Sequence, residues 1–177
     1  FHSGDPANPY NPVQMVRFAD GTEWGYEDIM TRLRAGTSGD DAVTGTLAGE
    51  TLHGQGGNDL LNGAGGDDTV MGAADDDILY GGAGDDLLLG GEGNDALYAN
   101  EGTDTLDGGT GDDRLHAGTG NNIYLFGLGD GRDVIDTEQD TTATRVNTIQ
   151  FKAGVTPDQI TARQVTTHPV VGPIALE

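Results

Sequence analysis

Acidic residues recur at every ninth position through the middle of the chain. Counting in nines from Gly36 to Leu125 gives ten units with no insertion, and the sixth position is acidic in nine of them. The ten residues at position six are Asp41, Glu50, Asp59, Asp68, Asp77, Asp86, Asp95, Asp104, Asp113 and Asn122. Carboxylates that are brought together repel one another and cannot all ionise cheaply. If the units stack, the spacing therefore predicts that cations lie between these side chains.

Glycines in the same units indicate which cation this is. Position four is glycine in eight of the ten units, the exceptions being Ala48 and Asp75. Glycine reaches backbone conformations that leave carbonyl oxygens free to point at a ligand. Carboxylate and carbonyl oxygens are the ligands of Ca²⁺, whereas Mg²⁺ prefers a tighter octahedron and keeps its waters. Zinc has no ligand set in a chain with no cysteine and four scattered histidines.

The charge of the repeats is consistent with several divalent ions. Residues 36–125 contain 18 acidic side chains and one basic side chain, that of Arg114. A site formed by two stacked turns needs units n and n+2, so ten units allow at most eight sites. Eight divalent ions would nearly neutralise the repeats.

An apolar residue two places after each position-six residue predicts the elements that hold these side chains. Position eight is occupied by Val43, Leu52, Leu61, Val70, Leu79, Leu88, Leu97, Leu106, Leu115 and Tyr124. A disordered acidic segment has no reason to keep this period, so the pattern predicts a folded repeat. We expect positions one to six to form a glycine-rich turn and positions seven to nine a three-residue strand, with position eight pointing inward. Two units would then form one coil, with two parallel sheets around a thin aliphatic core.

The unit GGAGDDLLL, residues 81–89, matches the pattern GGxGxDxUx completely. In these repeats, which cover about half the chain, the sequence resembles the RTX (repeats-in-toxin) family of calcium-binding nonapeptides. The resemblance implies an all-β fold, a parallel β-roll that is a right-handed β-solenoid with 18 residues per coil, here with small capping elements at both ends. It also implies a protein that is secreted unfolded, usually by a type I system, and that folds on binding Ca²⁺.

The resemblance further implies that position-six side chains and carbonyl oxygens from positions one to four hold the metal. The implied ligands are the side chains of Asp41, Asp59, Asp68, Asp77, Asp86, Asp95, Asp104, Asp113 and Asn122, and the backbone of Gly39, Gly57, Gly66, Gly82, Gly84, Gly91, Gly93, Gly102, Gly109 and Gly111. Four departures from the pattern, at Ala48, Glu50, Asp75 and Asn122, predict weaker or distorted sites. We expect about five to eight bound Ca²⁺ ions, of which about five or six are well formed.

The flanks differ from the repeats and divide the chain into an N-terminal cap at 1–35, the repeats at 36–125 and a C-terminal cap at 126–177. In the first cap, VRFADGTEW predicts a hairpin that turns at Asp20-Gly21, and YEDIMTRLRAG predicts a short helix. In the second, NTIQF and TARQVTT predict strands, and TPDQI predicts a helical turn with a capping box. Both flanks resemble the segment associated with haemolysin-type repeats, which implies neighbouring blocks in a longer parent chain.

Composition and missing motifs limit the functions that we expect. A net charge of −22 disfavours nucleic acid and anionic membrane surfaces as partners, and no apolar run is long enough to insert into a membrane. Neither HExxH nor GxSxG occurs, and the histidines lack catalytic or metal-binding spacing, so we expect no enzymatic activity. These histidines are His2, His53, His116 and His168. We expect a calcium-binding block of a secreted or cell-surface bacterial protein.

Two other functions stay open. Tyr80 and Tyr98 occupy position nine of alternate units, with His116 one coil further, so the three rings are expected to stack on one outer face. Such a column is either a ladder that stabilises the sheet or a surface that binds glycan or protein, as in an adhesion module with structural calcium. The chain could also be the non-catalytic tail of an extracellular enzyme.

Overall fold

The repeats form a parallel β-solenoid with two sheets. The computed structural model describes residues 15–136, 146–164 and 174–176. Successive strands of the repeats alternate between the two sheets, and strands two apart in sequence pair in parallel, so that Leu61 lies opposite Leu79, 18 residues later. The expected all-β roll with 18 residues per coil is confirmed.

The described strands of the repeats and of the C-terminal flank assemble into a six-stranded and an eight-stranded sheet. Preceding the repeats are β1 (Met15–Arg17), β2 (Glu23–Gly25) and α1 (Tyr26–Leu33). The repeats contain β3 (Ala42–Thr44), β4 (Thr51–His53), β5 (Leu60–Gly65), β6 (Thr69–Ala74), β7 (Ile78–Ala83), β8 (Leu87–Glu92), β9 (Ala96–Glu101), β10 (Thr105–Thr110), β11 (Arg114–His116) and β12 (Ile123–Phe126). After them come β13 (Asp133–Ile135), β14 (Thr148–Phe151), a 3-10 helix (Pro157–Gln159), β15 (Ala162–Gln164) and β16 (Ile174–Leu176). The even strands from β4 to β14 form the six-stranded sheet, and the odd strands from β3 to β13, followed by β16 and β15, form the other.

The core is a double column of position-eight side chains. All ten are buried, from Val43 at 8% exposure to the leucines at 0%. Burying one aliphatic side chain of this size contributes about 1.5–3 kcal/mol, so the column is the main apolar contribution to the fold. Because successive residues of a strand alternate between faces, position six and position one of the next unit point inward on either side of each leucine. The period therefore places an aspartate and a glycine in the interior of every coil.

The strands in the central units are longer than expected. Strands β5 to β10 have six residues each, because positions one to three of the following unit continue the pairing, as Ala64↔Gly82 and Gly65↔Ala83 do. Position two takes a left-handed conformation, with φ +119° at Gly82 and +97° at Ala73. The prediction of a six-residue turn and a three-residue strand is therefore wrong for these units, since the turn keeps only positions four to six.

The N-terminal flank forms the predicted hairpin and helix. Strands β1 and β2 pair antiparallel, and Gly21 in the connecting loop has φ +88°. Helix α1 follows directly and ends at Leu33. Beyond it, Ala35 bridges to His53 and thereby covers the first strand of the six-stranded sheet. This arrangement leads the chain from the helix into the first turn of the solenoid.

The C-terminal flank adds strands to both sheets. Strand β13 pairs with β11, and β14 pairs with β12, both in parallel. The predicted strand in NTIQF is β14, and the predicted capping box is present, with the Thr156 N–H donating to Gln159 Oε1 at 2.8 Å. Within TARQVTT, Ala162–Gln164 form β15, whereas residues 165–167 lie outside the described residues. The boundaries of the three predicted regions stay predictions.

Candidate metal centres

The turns stack along two edges of the solenoid. The first edge consists of the turns that lead into the eight-stranded sheet, and the second edge consists of those that lead into the six-stranded sheet. Position six on the first edge is occupied by Asp41, Asp59, Asp77, Asp95 and Asp113, and on the second edge by Glu50, Asp68, Asp86, Asp104 and Asn122. The predicted ligand side chains are therefore brought together in two columns.

Each column is held by a regular ladder of hydrogen bonds. The backbone N–H of one position-six residue donates to Oδ1 of the position-six residue 18 places later, for example from Asp77 to Asp95 and from Asp68 to Asp86, both at 2.8 Å. A carboxylate that accepts a backbone N–H is oriented by that bond. Oδ1 is thus hydrogen-bonded to the neighbouring coil, and this bond fixes the direction of the second carboxylate oxygen, Oδ2.

The second carboxylate oxygen is buried and has no hydrogen-bond partner. This holds for Oδ2 of Asp59, Asp68, Asp77, Asp86, Asp95, Asp104 and Asp113, whose side chains are at most 3% exposed. Leaving a buried polar group unpaired is costly, and leaving a buried charge unpaired costs more. Seven repetitions of one uncompensated oxygen indicate that the folded state needs a cationic partner there.

Burial raises the pKa of these carboxyls. It brings the pKa of Asp95 to about 7 and that of Asp86 and Asp113 to about 6, against an ordinary value of 3.8. Repulsion from stacked carboxylates adds to the effect, as Asp113 and Asp77 do for Asp95. Without a cation, these groups would hold protons up to nearly neutral pH. A divalent ion at the same place would substitute for those protons.

In five turns a carbonyl oxygen of the next coil faces the unpaired carboxylate oxygen beside a position-one glycine, at Gly54, Gly63, Gly72, Gly81 and Gly90. A Cβ built on Gly63 would lie 2.6 Å from the Gly81 carbonyl oxygen and closer still to Asp68 Oδ2. The same collision with an aspartate Oδ2 and a carbonyl of the next coil occurs at Gly54 and Gly72. Carboxylate and carbonyl oxygens thus converge on a space that only glycine leaves open. Such a donor set fits Ca²⁺.

Side chains alone do not complete such a site. Within residues 15–136, 146–164 and 174–176, no three His, Cys, Asp or Glu side chains are grouped so that they could hold a metal ion. Backbone oxygens must therefore supply part of the coordination, as the glycine-rich turns suggest.

The predicted glycine ligands all lie at the two edges. Positive φ angles occur at position two in Gly82, Gly91 and Gly109, and at position four in Gly57, Gly66, Gly84, Gly93, Gly102 and Gly111. Gly39 lies in the first turn without a positive φ, and a Cβ on it would meet no atom within 4 Å. Their roles as ligands stay predictions.

The four departures from the repeat are visible in the turns. Both carboxylate oxygens of Glu50 have partners within the chain: Oε2 accepts the Thr46 N–H at 2.6 Å, and Oε1 pairs with Arg34 Nη2 at 2.7 Å. Asp75 adopts φ +76° where most units have glycine, and Ala48 is exposed. Asn122 keeps the ladder bond through Oδ1, but its Nδ2 is buried without a partner. That these turns bind more weakly stays a prediction.

The columns contain two further members that the nine-residue period does not predict. Asp133 Oδ1 accepts the Asp113 N–H, and Asn147 Oδ1 accepts the Asn122 N–H, both at 3.0 Å. They lie 20 and 25 residues after their partners, whereas ladder partners within the repeats are 18 residues apart, so the nine-residue period does not include them. The signal that could have found them is an Asp or Asn two places before an apolar residue at the start of DVI and NTIQF.

The predicted aromatic column is present on the outer face of the eight-stranded sheet. The rings of Tyr80 and Tyr98 stack with centroids 5.1 Å apart, and His116 lies 6.0 Å from Tyr98. His53 lies at the end of β4, whereas His2 and His168 fall outside the described residues.

Comparison with protein families agrees with this geometry. A family model described as the RTX calcium-binding nonapeptide repeat, in four copies, matches residues 35–70, 44–79, 62–97, 71–106 and 98–133. These overlapping matches extend from residue 35 to residue 133, more than half of the 177 residues. No curated protein matched the chain. None of the described helices is long and apolar enough to cross a membrane. The chain belongs to the family of RTX calcium-binding nonapeptide-repeat proteins, and its repeats form a β-roll of that type.

Proposed function

We propose that this chain is a β-roll block of a secreted bacterial protein, of the toxin-like or large extracellular kind, and that it folds on Ca²⁺ after type I secretion. The observation that carries the proposal is the repeated buried Oδ2 atom without a partner. A fold whose described residues bury seven such oxygens is poorly stabilised until their charge is compensated.

The residues that would hold the ions are the position-six aspartates and the glycine-rich turns. Bound Ca²⁺ would supply positive charge and flexible oxygen coordination between neighbouring coils. Asp95 shows what the chain contributes, since its Oδ1 is fixed by the Asp77 N–H and its Oδ2 is directed into the interior. Gly90 contributes by having no Cβ, which would otherwise collide with Asp95 Oδ2 and the Gly108 carbonyl. We propose about five to eight ions for the block.

Calcium-dependent folding would suit a secreted protein. Extracellular calcium modules bind with dissociation constants of about 10⁻⁴–10⁻³ M, so the sites would fill outside the cell and stay empty inside it. Repulsion within a chain of net charge −22 would help to keep it unfolded before secretion. Localisation outside the cell or at its surface follows from this proposal.

We further propose that the block is non-catalytic and lies beside similar blocks in its parent chain. The buried position-six carboxylates that could serve as an acid and a base are engaged in the two structural ladders, such as Asp104, whose Oδ1 accepts the Asp86 N–H at 3.0 Å. Strand β14 continues the six-stranded sheet in parallel beyond the repeats and is the last strand of that sheet among the described residues, which supports stacking of a further unit onto it.

Counting bound ions tests the proposal. Native mass spectrometry and calorimetric titration should detect about five to eight Ca²⁺ ions with millimolar or submillimolar constants. Magnesium at the same concentration should not displace them. A chain that binds no Ca²⁺, or binds Mg²⁺ equally well, would contradict the proposal.

The stacked rings favour a glycan-binding adhesion module as a second candidate. Tyr80 and Tyr98 form a flat column with an interplanar angle of 16° on an outer face, a shape on which sugar rings can pack. A glycan array probed with the calcium-loaded protein and its Tyr98→Ala variant decides this. Binding that disappears in the variant supports the adhesion module, and the absence of any glycan binding by the parent protein rejects it.

A further inference from the structure

We propose that the two edges of the roll differ in their use of calcium. The first edge binds ions at every turn from Asp59 to Asp113, whereas the second edge binds them only in its middle, because groups of the chain itself occupy its two ends. This inference rests on the proposed calcium binding and assigns it to particular turns.

The first edge keeps one pattern at positions one and six, although Asp75 replaces glycine at position four of one unit. Its position-six residues from Asp41 to Asp113 are all aspartates, and every position-one residue of these units is glycine. At Gly90, a Cβ would collide with both Asp95 Oδ2 and the Gly108 carbonyl oxygen. The absence of side chains at position one keeps the same oxygen-lined space open at Gly54, Gly72 and Gly90. At the start of this edge, Asp41 Oδ2 already accepts hydrogen bonds from the Thr37 N–H and hydroxyl.

An internal cation occupies the start of the second edge. Glu50 stands where the other units have aspartate, and its longer side chain reaches Arg34 at 2.7 Å. The Glu50 side chain is 3% exposed and that of Arg34 is 21% exposed, so the pair is largely removed from water. Helix α1 positions Arg34, which is its C-terminal capping residue. A guanidinium group already neutralises the carboxylate that would otherwise attract a calcium ion.

Methyl and amide groups occupy the other end of the second edge. Ala99 and Ala117 replace glycine at position one, and they are 0% and 1% exposed. Ala99 follows Gly81 by one coil, so its methyl group points into the space that glycine leaves open elsewhere. Next along this edge, Asn122 presents a buried, unpartnered Nδ2 in place of a carboxylate oxygen. An amide nitrogen is a hydrogen-bond donor and repels a cation.

Only two turns of the second edge keep the complete pattern. These are the turns with Gly63 and Asp68 and with Gly81 and Asp86, each of which has an unpartnered buried Oδ2. Asp104 also has an unpartnered buried Oδ2, but Ala99 places a methyl group where the other turns leave space open. The remaining turns of this edge present Glu50 paired with Arg34 and the amide of Asn122. Calcium joins the coils mainly along the first edge.

Reciprocal substitutions at position one test this assignment. Ala99→Gly opens the space on the second edge, and we expect at least one additional Ca²⁺ ion or about a tenfold tighter weakest site. Gly90→Ala closes a space on the first edge, and we expect the loss of one or two ions. Ala83→Gly, at an exposed position three, is the matched control for adding a glycine and should leave the count unchanged. Native mass spectrometry gives the number of ions, and calorimetric titration gives the affinities.

Arg34→Gln keeps the test decisive if Gly90→Ala fails to fold. Removing the guanidinium group frees the Glu50 carboxylate, and one additional Ca²⁺ ion should then bind at the start of the second edge. If Ala99→Gly and Arg34→Gln both bind calcium as the parent protein does, the two edges do not differ in the proposed way. If the parent protein itself binds no Ca²⁺, it is the proposed function that fails.

Discussion

Replacing Asp86 by asparagine separates the ladder hydrogen bond from the proposed metal ligand. Asp86 Oδ1 accepts the Asp68 N–H at 2.8 Å, and its Oδ2 is buried without a partner. Asn122 shows that an asparagine can keep the ladder bond, because its Oδ1 accepts the Asp104 N–H at the same distance of 2.8 Å. Asp86→Asn should therefore preserve the backbone geometry and remove only the charged oxygen.

The size of the effect follows from the stacking. Each internal turn has a neighbouring turn on both sides, so the Asp86 carboxylate is expected to serve two calcium sites. At about 10 mM Ca²⁺ and dissociation constants of about 10⁻⁴–10⁻³ M, one site stabilises the folded state by about 1.4–2.7 kcal/mol. Loss of two sites should cost about 3–5 kcal/mol and lower the melting temperature by about 10 °C.

The neighbouring Asp85 provides a matched control. It is exposed in the same turn, and its Oδ1 accepts the Thr103 N–H at 2.7 Å, a bond that asparagine can also form. Asp85→Asn removes the same charge but should retain the parent calcium count within about half an ion and the melting temperature within about 2 °C. Thermal unfolding in saturating calcium and ion counting provide the readout. Equal ion counts and melting temperatures for Asp86→Asn and Asp85→Asn would refute the assignment of the buried oxygens as ligands.

Three further predictions concern strain, stacking and protonation. Ala73→Gly relieves a left-handed conformation at φ +97° and should raise stability by about 0.5–1 kcal/mol, measured by thermal unfolding in calcium; an unchanged or lower stability contradicts it. Tyr98→Ala removes ring contacts to Tyr80 and His116 and should cost about 1–2 kcal/mol in the same assay, whereas no loss would mean that the column does not stabilise the sheet. In the calcium-free protein, buried carboxyls such as Asp95 have folded-state pKa values raised to about 6 to 7. Their contribution to the stability of the folded state is therefore fully present below pH 3.8 and is lost as the pH rises through 7. Acidifying the calcium-free protein from pH 7 to about 5 should therefore increase its β signal in circular dichroism, and a decrease would contradict this sign.

The nine-residue period was sufficient to predict the core and the two columns of position-six side chains. Side chains alternate along a strand, so a leucine at position eight, such as Leu88, fixes Asp86 on the same inward face two places earlier. Stacking of the units then brings equivalent residues into register 18 places apart.

Other features depend on three-dimensional context that a periodic pattern does not contain. The six-residue strands depend on a left-handed position two, which Ala64 and Ala73 adopt although alanine does not favour it. Asp133 joins its column after a longer connection that interrupts the count of nine. Arg34 lies outside the repeats and reaches Glu50 only because helix α1 ends beside the first turns.

Far-UV circular dichroism during a calcium titration, with magnesium as control, tests the central claim most directly. A cooperative transition from disordered chain to β structure at about 0.1–1 mM Ca²⁺, absent with Mg²⁺, is the expected result. A chain that already shows its full β signal in EDTA would contradict calcium-driven folding and favour an adhesion module in which calcium is secondary.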